Sequence, residues 1–386
     1  MKWGYHVNNQ LKAYRHDLHQ IPELGFDLFK TSAYIKEKLI SFGYEPVQMA
    51  KTGWVVFREG KVKDALLFRT DMDALPVEEK TGIRYPSKHT GKMHACGHDG
   101  HMSMMLGFAK YVMEQPQFYH TIVMIFQPAE EGPGGAKVMI EEGLFDMFEI
   151  KHVFGIHLYP ELDEGLYGLV DGPMMARNGE FDLSIEGKSA HAAQPHAGKD
   201  AIQAAGHLIS SYHEIISRSI DPFDQAVVTI GTIHGGEARN IIAQTVKMSG
   251  TIRAFHDDVY EHIKSCMHKI DQGLSLAYDV IIKNNIMDYY PAVNNDHQLF
   301  LQLTKTLDPS SYRLIKPMTF AEDFAFYQQK VPGMFVMLGT RREDLGYIHP
   351  LHSCYFNFDE RVLMKGVHLY QTILTMFESS KTIEFR

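Results

Sequence analysis

The chain has 386 residues, beyond the roughly 250–300 at which one hydrophobic core stops growing, so two domains are expected. Apolar residues make up 45% and charged residues 22%, a composition that buries a sizeable core and excludes both disorder and a small disulfide-stapled scaffold. With 38 Lys and Arg against 47 Asp and Glu, the net charge of −9 repels phosphate backbones and anionic membrane surfaces, so neither nucleic acid nor membrane is an expected partner.

The N-terminal sequence has no signal-like apolar stretch, and no later run reaches the roughly 18 apolar residues of a membrane span, so a cytoplasmic location is expected. Cys96, Cys266 and Cys354 lack regular spacing and suit a reducing compartment better than a disulfide framework. Apolar residues at spacings of three and four predict helices over 8–20 and 27–42, separated by Pro22 and Gly25 and ended by Gly43. Short apolar runs at 54–57, 65–68 and 121–126 predict buried strands, with a helix over about 101–114 between the last two. A further run, 153–157, ends on His157. This alternation predicts an α/β domain with a mostly parallel central sheet flanked by helices, and chemistry at the carboxyl ends of its strands.

From about residue 177 the texture changes. Segments 181–185 and 246–252 alternate apolar and polar residues, as strands with one wet face do, and 227–233 supplies another strand. Helical patterns over 199–218 and 257–276 separate them. Strand, helix, strand, strand, helix, strand predicts an inserted α+β ferredoxin-like domain over 177–289. After Pro291 the pattern returns to helix (296–307 and 321–329), strand (334–338) and a last helix (359–377), so 1–176 plus 290–386 should form one catalytic domain.

Twenty-two histidines raise the question of a metal, since neutral imidazole is the commonest metal ligand. The run MHACGHDGH (93–101) packs Cys96, His98 and two further histidines beside Asp99 at a helix start, although Gly97 and Gly100 also suit a plain turn. In FQPAEEGPGGA (126–136), Glu130 and Glu131 repel each other unless a cation sits between them. One would ligate and the other act as general base, or both would favour the positive end of the following helix. In RTDMDALP (69–76), Asp71 and Asp73 follow a strand and either ligate or orient a ligand. His157 and His352 end the set, which exceeds the three protein ligands of a single catalytic zinc and would suit two metals. Spacing alone does not assign these ligands.

These blocks, with RHDLHQIPELGF, GIHLYP, GKSAHAAQPHAGKDA, GGEARNIIA, GTIRAF, AEDFAFY and HPLHS, occur in the order seen in the metal-dependent aminoacylase and carboxypeptidase superfamily. The chain resembles its branch of hippurate hydrolases, auxin-conjugate amidohydrolases and bacterial N-acetyldiaminopimelate deacetylases over residues 12 to about 375. The resemblance implies a metal-dependent amidohydrolase with Cys96, His98, Glu131, His157 and His352 as metal ligands and Glu130 as catalytic base. Asp71 matches a position treated as catalytic in this branch, where classical members have a histidine ligand. Two divalent ions are implied, zinc or manganese, with cobalt and nickel compatible. The inserted domain is implied to pair two subunits into a homodimer, and His191, Asn240 and Arg253 to bind substrate. The implied substrate is an N-acyl amino acid, N-acetyl-L,L-diaminopimelate by whole-chain pattern, or a broader hippurate-type range.

Overall fold

The structure, a computed structural model, describes residues 2–132 and 134–379; the expected catalytic domain's residues 1, 133 and 380–386 lie outside the described residues. The elements run α1 (Lys2–His19), α2 (Phe29–Phe42), β1 (Val47–Met49), β2 (Gly53–Arg58), β3 (Asp64–Asp71), α3 (His98–Glu114), β4 (Thr121–Gln127), α4 (Gly135–Glu141), α5 (Leu144–Met147), β5 (Glu149–Asp163), β6 (Tyr167–Leu169) and β7 (Gly172–Met175). There follow β8 (Arg177–Glu186), α6 (Ala201–Arg218), β9 (Ala226–Gly235), β10 (Thr245–Ala254), α7 (Asp257–Tyr278), β11 (Ile281–Asp288), β12 (Val293–Asn295), α8 (His297–Thr306), β13 (Tyr312–Leu314), α9 (Ala325–Gln328), β14 (Gly333–Arg341) and α10 (Leu363–Ser379). The chain divides into two compact units. One comprises Met1–Gly172, Asn294–Lys316 and Asp323–Arg386; the other comprises Pro173–Val293 and Pro317–Glu322.

The first unit is built on an eight-stranded sheet of order β1-β2-β4-β3-β5-β14-β6-β13. Its centre is parallel: β3 runs with β4 and β5, and β14 with β5. At the edges β2 is antiparallel to β4, and β6 to β14. The central strands are apolar runs buried on both faces, as a helix-covered parallel sheet requires. Helix α3 is buried along most of its length, from His98 to Ala109: its 104–109 stretch is wholly apolar, while the polar residues His98, Asp99, His101 and Ser103 of its first turns are buried too. It starts at His98, three residues before the start that periodicity gives, directly after Gly97 in the left-handed conformation (φ 85°). The site histidines therefore ride on a rigid helix.

The second unit is α+β with strand order β11-β8-β10-β9, every neighbouring pair antiparallel. Numbered within the unit this is 4-1-3-2, the ferredoxin-like topology expected of the insertion. Its core joins inward residues of the strands (Phe181, Leu183, Val246, Ile252) to the apolar faces of α6 and α7 (Leu208, Tyr212, Ile263, Met267). Asp200 caps α6 by accepting hydrogen bonds from Ile202 N and Gln203 N.

The expected helix over 321–329 is cut to Ala325–Gln328, because Pro317–Glu322 belongs to the second unit and the chain passes between units just before Asp323. The last helix begins at Leu363, four residues later than expected, behind a single 3-10 turn capped by Asp359.

Candidate metal centre

The carboxyl ends of β3 and β4 deliver most of the chemistry, and β5 runs six residues past His157, where the apolar run of the sequence ends. Strand β3 ends on Asp71, with Asp73 two residues on; β4 runs into the loop bearing Glu130 and Glu131; His157 lies inside β5; Cys96 sits in the turn before α3, and His98 and His101 in its first turn. His352 arrives from the loop after β14. Cys96, His98, Glu131, His157 and His352, scattered over some 250 residues of sequence, come together.

Donor atoms of Cys96, His98 and His157 lie within 4.8 Å of one another, as do those of Cys96, Glu131 and His352, and those of His98, Glu130 and Glu131. Cys96 Sγ lies 3.4 Å from His157 Nε2, His98 Nε2 is 3.8 Å from Glu131 Oε1, and His352 Nε2 is 3.4 Å from the same oxygen. Cys96 is thus common to two donor sets, which together offer more ligands than one cation takes and would fit two.

Hydrogen bonds fix which ring nitrogens are available. His157 Nδ1 donates to Leu158 O at 2.7 Å, so its Nε2 lone pair faces Cys96. Burial pushes His157 down to about 3, aided by His101, which keeps it neutral as a ligand must be. His101 Nε2 accepts from Leu158 N at 3.0 Å, so its proton sits on Nδ1 and is donated to Asp71 Oδ1 at 2.7 Å. His101 therefore braces the site from behind.

His98 differs from both. It is wholly buried, and neither ring nitrogen has a hydrogen-bond partner. Burial alone would lower it, but Asp71, Asp73 and Glu131 outweigh burial and push it up to about 10. Such a concentration of carboxylates calls for a positive charge at this point, a proton or a metal cation. Burial, with Glu131 and Glu130, likewise pushes the Cys96 thiol well up, and only a cation beside it would make the thiolate favourable. Glu131 Oε1 is also buried without a hydrogen-bond partner. Unpartnered nitrogen and oxygen donors beside a buried thiol, of the types that bind zinc, manganese or cobalt, fit a divalent metal centre.

Asp73 does the local positioning. Its two oxygens accept from Glu130 N at 3.0 Å and Glu131 N at 3.1 Å, fixing the pair of glutamates. Ala129, just before them, and His352 both adopt left-handed backbone (φ 58° and 65°), strained for non-glycine residues and of a kind that collects at functional loops. Asp71 has both oxygens engaged, Oδ1 with His101 and Oδ2 with Arg69 at 2.7 Å. Arg69 extends this buried network to Asp323 at 2.7 Å and Gln127 at 3.0 Å.

The remaining expected residues lie on the second unit. His191 and Asn240 are exposed and held side by side: Ala192 N donates to Asn240 O at 3.0 Å, and His191 bridges to Ile241. Arg253 is half-buried on β10, its guanidinium donating to Ile252 O at 2.9 Å. Sequence reasoning assigned no part to Arg69, although a charged residue inside the apolar run of β3 signals a buried partner, and left Asp73 between ligand and orienter.

A parallel α/β sheet whose strand ends converge on nitrogen, oxygen and sulfur donors with adjacent glutamates defines a metal-dependent amide hydrolase. The chain belongs to the peptidase family M20/M25/M40, whose model matches residues 67–376. It is 37% identical over 374 residues to an N-acetyldiaminopimelate deacetylase of Oceanobacillus iheyensis, covering 95% of this chain and 99% of that one. It is 36% identical to one of Bacillus subtilis, covering 93% and 96%. A crystal structure of a dinuclear metal-binding M20 peptidase of Bacillus subtilis superposes with a TM-score of 0.84 at 29% identity, covering 97% of this chain and 99% of that one. Among the described residues no helix is long and apolar enough to cross a membrane.

Proposed function

We propose that this amidohydrolase cleaves N-acetyl-L,L-diaminopimelate to acetate and L,L-diaminopimelate, a step of lysine biosynthesis carried out in the cytoplasm. The catalytic part of this reading rests on Glu130 beside Glu131, with both backbone amides held by the Asp73 carboxylate next to His98, and the choice of substrate rests on the whole-chain similarity to N-acetyldiaminopimelate deacetylases. Two divalent ions, zinc or manganese, would be held by Cys96, His98, Glu131, His157 and His352, and when bound they supply Lewis acidity that makes water nucleophilic near neutral pH. Glu130 takes a proton from the attacking water and returns it to the departing amine, one carboxylate serving as base and then as acid. Asp71 acts through His101, orienting that ring by accepting from its Nδ1, while burial keeps the ring neutral. His191 polarises the substrate carbonyl, and Asn240 and Arg253 bind its carboxylate, the planar guanidinium suiting two-point contact; their assignment rests on resemblance to the family.

A homodimer is part of the same reading. Strand β9 is ten residues long, lies at the edge of its sheet, and exposes Val227 and Ile233, a surface suited to a second copy. The test is kcat/KM for acetate release from N-acetyl-L,L-diaminopimelate beside hippurate cleavage, with enzyme reloaded separately with zinc and manganese. The expected preference is about a hundredfold or more, near 2.7 kcal/mol in transition-state binding. Comparable values would make the protein a generalist, and inactivity on both would overturn the substrate class.

A further inference from the structure

His352 stands apart from its fellow donors. Its side chain is 56% exposed, whereas Cys96, His98 and His157 are buried, so packing does not hold it in place. What holds it is tethering. His352 N donates to Ala95 O at 2.9 Å, next to Cys96, and six residues further on the same segment is gripped by Arg15 of α1. The Arg15 guanidinium donates to Phe358 O at 2.9 Å and to Asn357 Oδ1, and lies 3.5 Å from the centre of the Phe358 ring. Its Nε donates to Asp99 Oδ2 at 3.2 Å, in the first turn of the helix that carries His98. One buried side chain thus joins the two ligand-bearing segments, which lie more than 250 residues apart in sequence.

The two grips are unequal. Asp99 has a second partner, His19 Nδ1 at 2.8 Å, and its Oδ1 accepts from Gly100 N at 2.9 Å, so the Cys96–His98 turn stays pinned without Arg15. On the other segment, Lys80 N donates to Cys354 O at 2.8 Å, and Glu360 is held by His16 at 2.9 Å and by Arg15 itself at 3.3 Å. The side-chain hydrogen bonds between these anchors, to Asn357 and to the Phe358 carbonyl, come from Arg15. We infer that Arg15 is a positioning residue that sets His352 against the Cys96–His98 turn, and so controls the cation held by Cys96, Glu131 and His352 more than the cation held by Cys96, His98 and His157. The inference rests on the two-ion reading of the site. A lysine retains the charge but loses the planar fork, so it cannot grip Asp99, Asn357 and the Phe358 carbonyl together.

The experiment titrates full-length metal-free protein with cobalt(II), following absorption and competition with a chromogenic chelator. Parent, Arg15→Lys and Asn357→Ala are compared, with His352→Ala and His157→Ala as references for the spectrum left when either ion is weakened. The parent is expected to take up two ions. Arg15→Lys should bind one of them about tenfold or more weakly, the scale for groups that orient metal ligands, and the spectrum of the ion retained should match His352→Ala. Asn357→Ala, which removes a half-buried partner and leaves the core intact, should shift the same ion in the same direction and carries the test if Arg15→Lys does not fold. Equal weakening of both ions, weakening of the ion lost in His157→Ala, or unchanged affinities overturns the positioning role. A parent that takes up a single ion overturns the two-ion reading and this inference with it.

Discussion

The two units handle buried charge in opposite ways. In the first, Arg15, Arg69, Asp71, Asp73, Asp99 and a set of histidines are buried at the carboxyl end of the sheet and pair with one another. Burial alone would raise Asp71, but His98, His101 and Arg69 hold it well below the usual carboxylate range. In the second, the buried charged side chains among the described residues are Asp271, whose carboxyl burial pushes up in spite of hydrogen bonds from Tyr212 and Asn284, and Glu322 at the end of the Pro317–Glu322 segment. One unit invests in ionised groups held rigid for chemistry. Over 177–289 the other is an ordinary apolar core with polar residues facing out. The difference teaches that burial of an aspartate does not by itself determine its charge; the balance between desolvation and the cations packed around it does, and Asp323 is pushed up by burial even with Arg69 at 2.7 Å.

Removing a cation from the first unit should therefore break it most severely. Arg69→Met leaves Asp71 and Asp323 buried without their shared partner, and unfolding by urea should show a loss of about 3–5 kcal/mol. A loss below about 1 kcal/mol would mean that these carboxylates take up protons and that the contrast between the units is false. Glu130→Gln should fold normally and retain metal by elemental analysis, while kcat falls about a hundredfold or more. Near-normal turnover would remove Glu130 from its place as base.

The contrast was only half legible in the sequence. Apolar runs located β3, β4, β5 and β14, because strands buried on both faces leave a continuous hydrophobic signature. Alternation located β8 and β10 equally well, and with them the ferredoxin-like order. Short edge strands such as β1 and β13 carry no such period and were not foreseen. At the site, motif density marked Cys96, His98 and the glutamates, and Asp73 as ligand or orienter without deciding between the two, but Arg69 and Arg15, whose work is to hold others, look unremarkable until their partners are placed. Their partners are Asp323 and Asn357 respectively, and those of Asp73 are Glu130 and Glu131, all distant in sequence.

Stability against pH offers a finer test, because Asp99 and Asp271 should respond with opposite sign. Asp99 would be raised by burial, but Arg15 and His19 lower it strongly. It contributes stability above its unfolded pKa of about 4 and loses that contribution as pH falls through the folded value. Asp271 is raised, so its contribution is full below about 4 and is lost as pH rises through the folded value. Compared with the parent, Asp99→Asn should be most destabilised near neutral pH and least in acid, whereas the gap for Asp271→Asn should shift in the variant's favour as pH rises above about 4. Parallel profiles would show that the two buried aspartates share one electrostatic environment after all.

The smallest effect is expected on the outward face of the second unit's sheet. Lys283 reaches Glu186 at 3.2 Å across neighbouring strands, with the two side chains 67% and 46% exposed. Exposed pairs of this kind contribute about 0–1 kcal/mol because water and salt screen them and both long side chains must be ordered. Lys283→Ala should accordingly shift unfolding by less than about 0.5 kcal/mol, and raising the salt concentration should leave parent and variant indistinguishable. A loss several times larger would mean that this face is covered in solution, and a loss that grows with protein concentration would name a second copy of the chain as the cover. In that event the second unit, like the first, would hold charges out of water, and the line between the units would fall at the assembly and not within the chain.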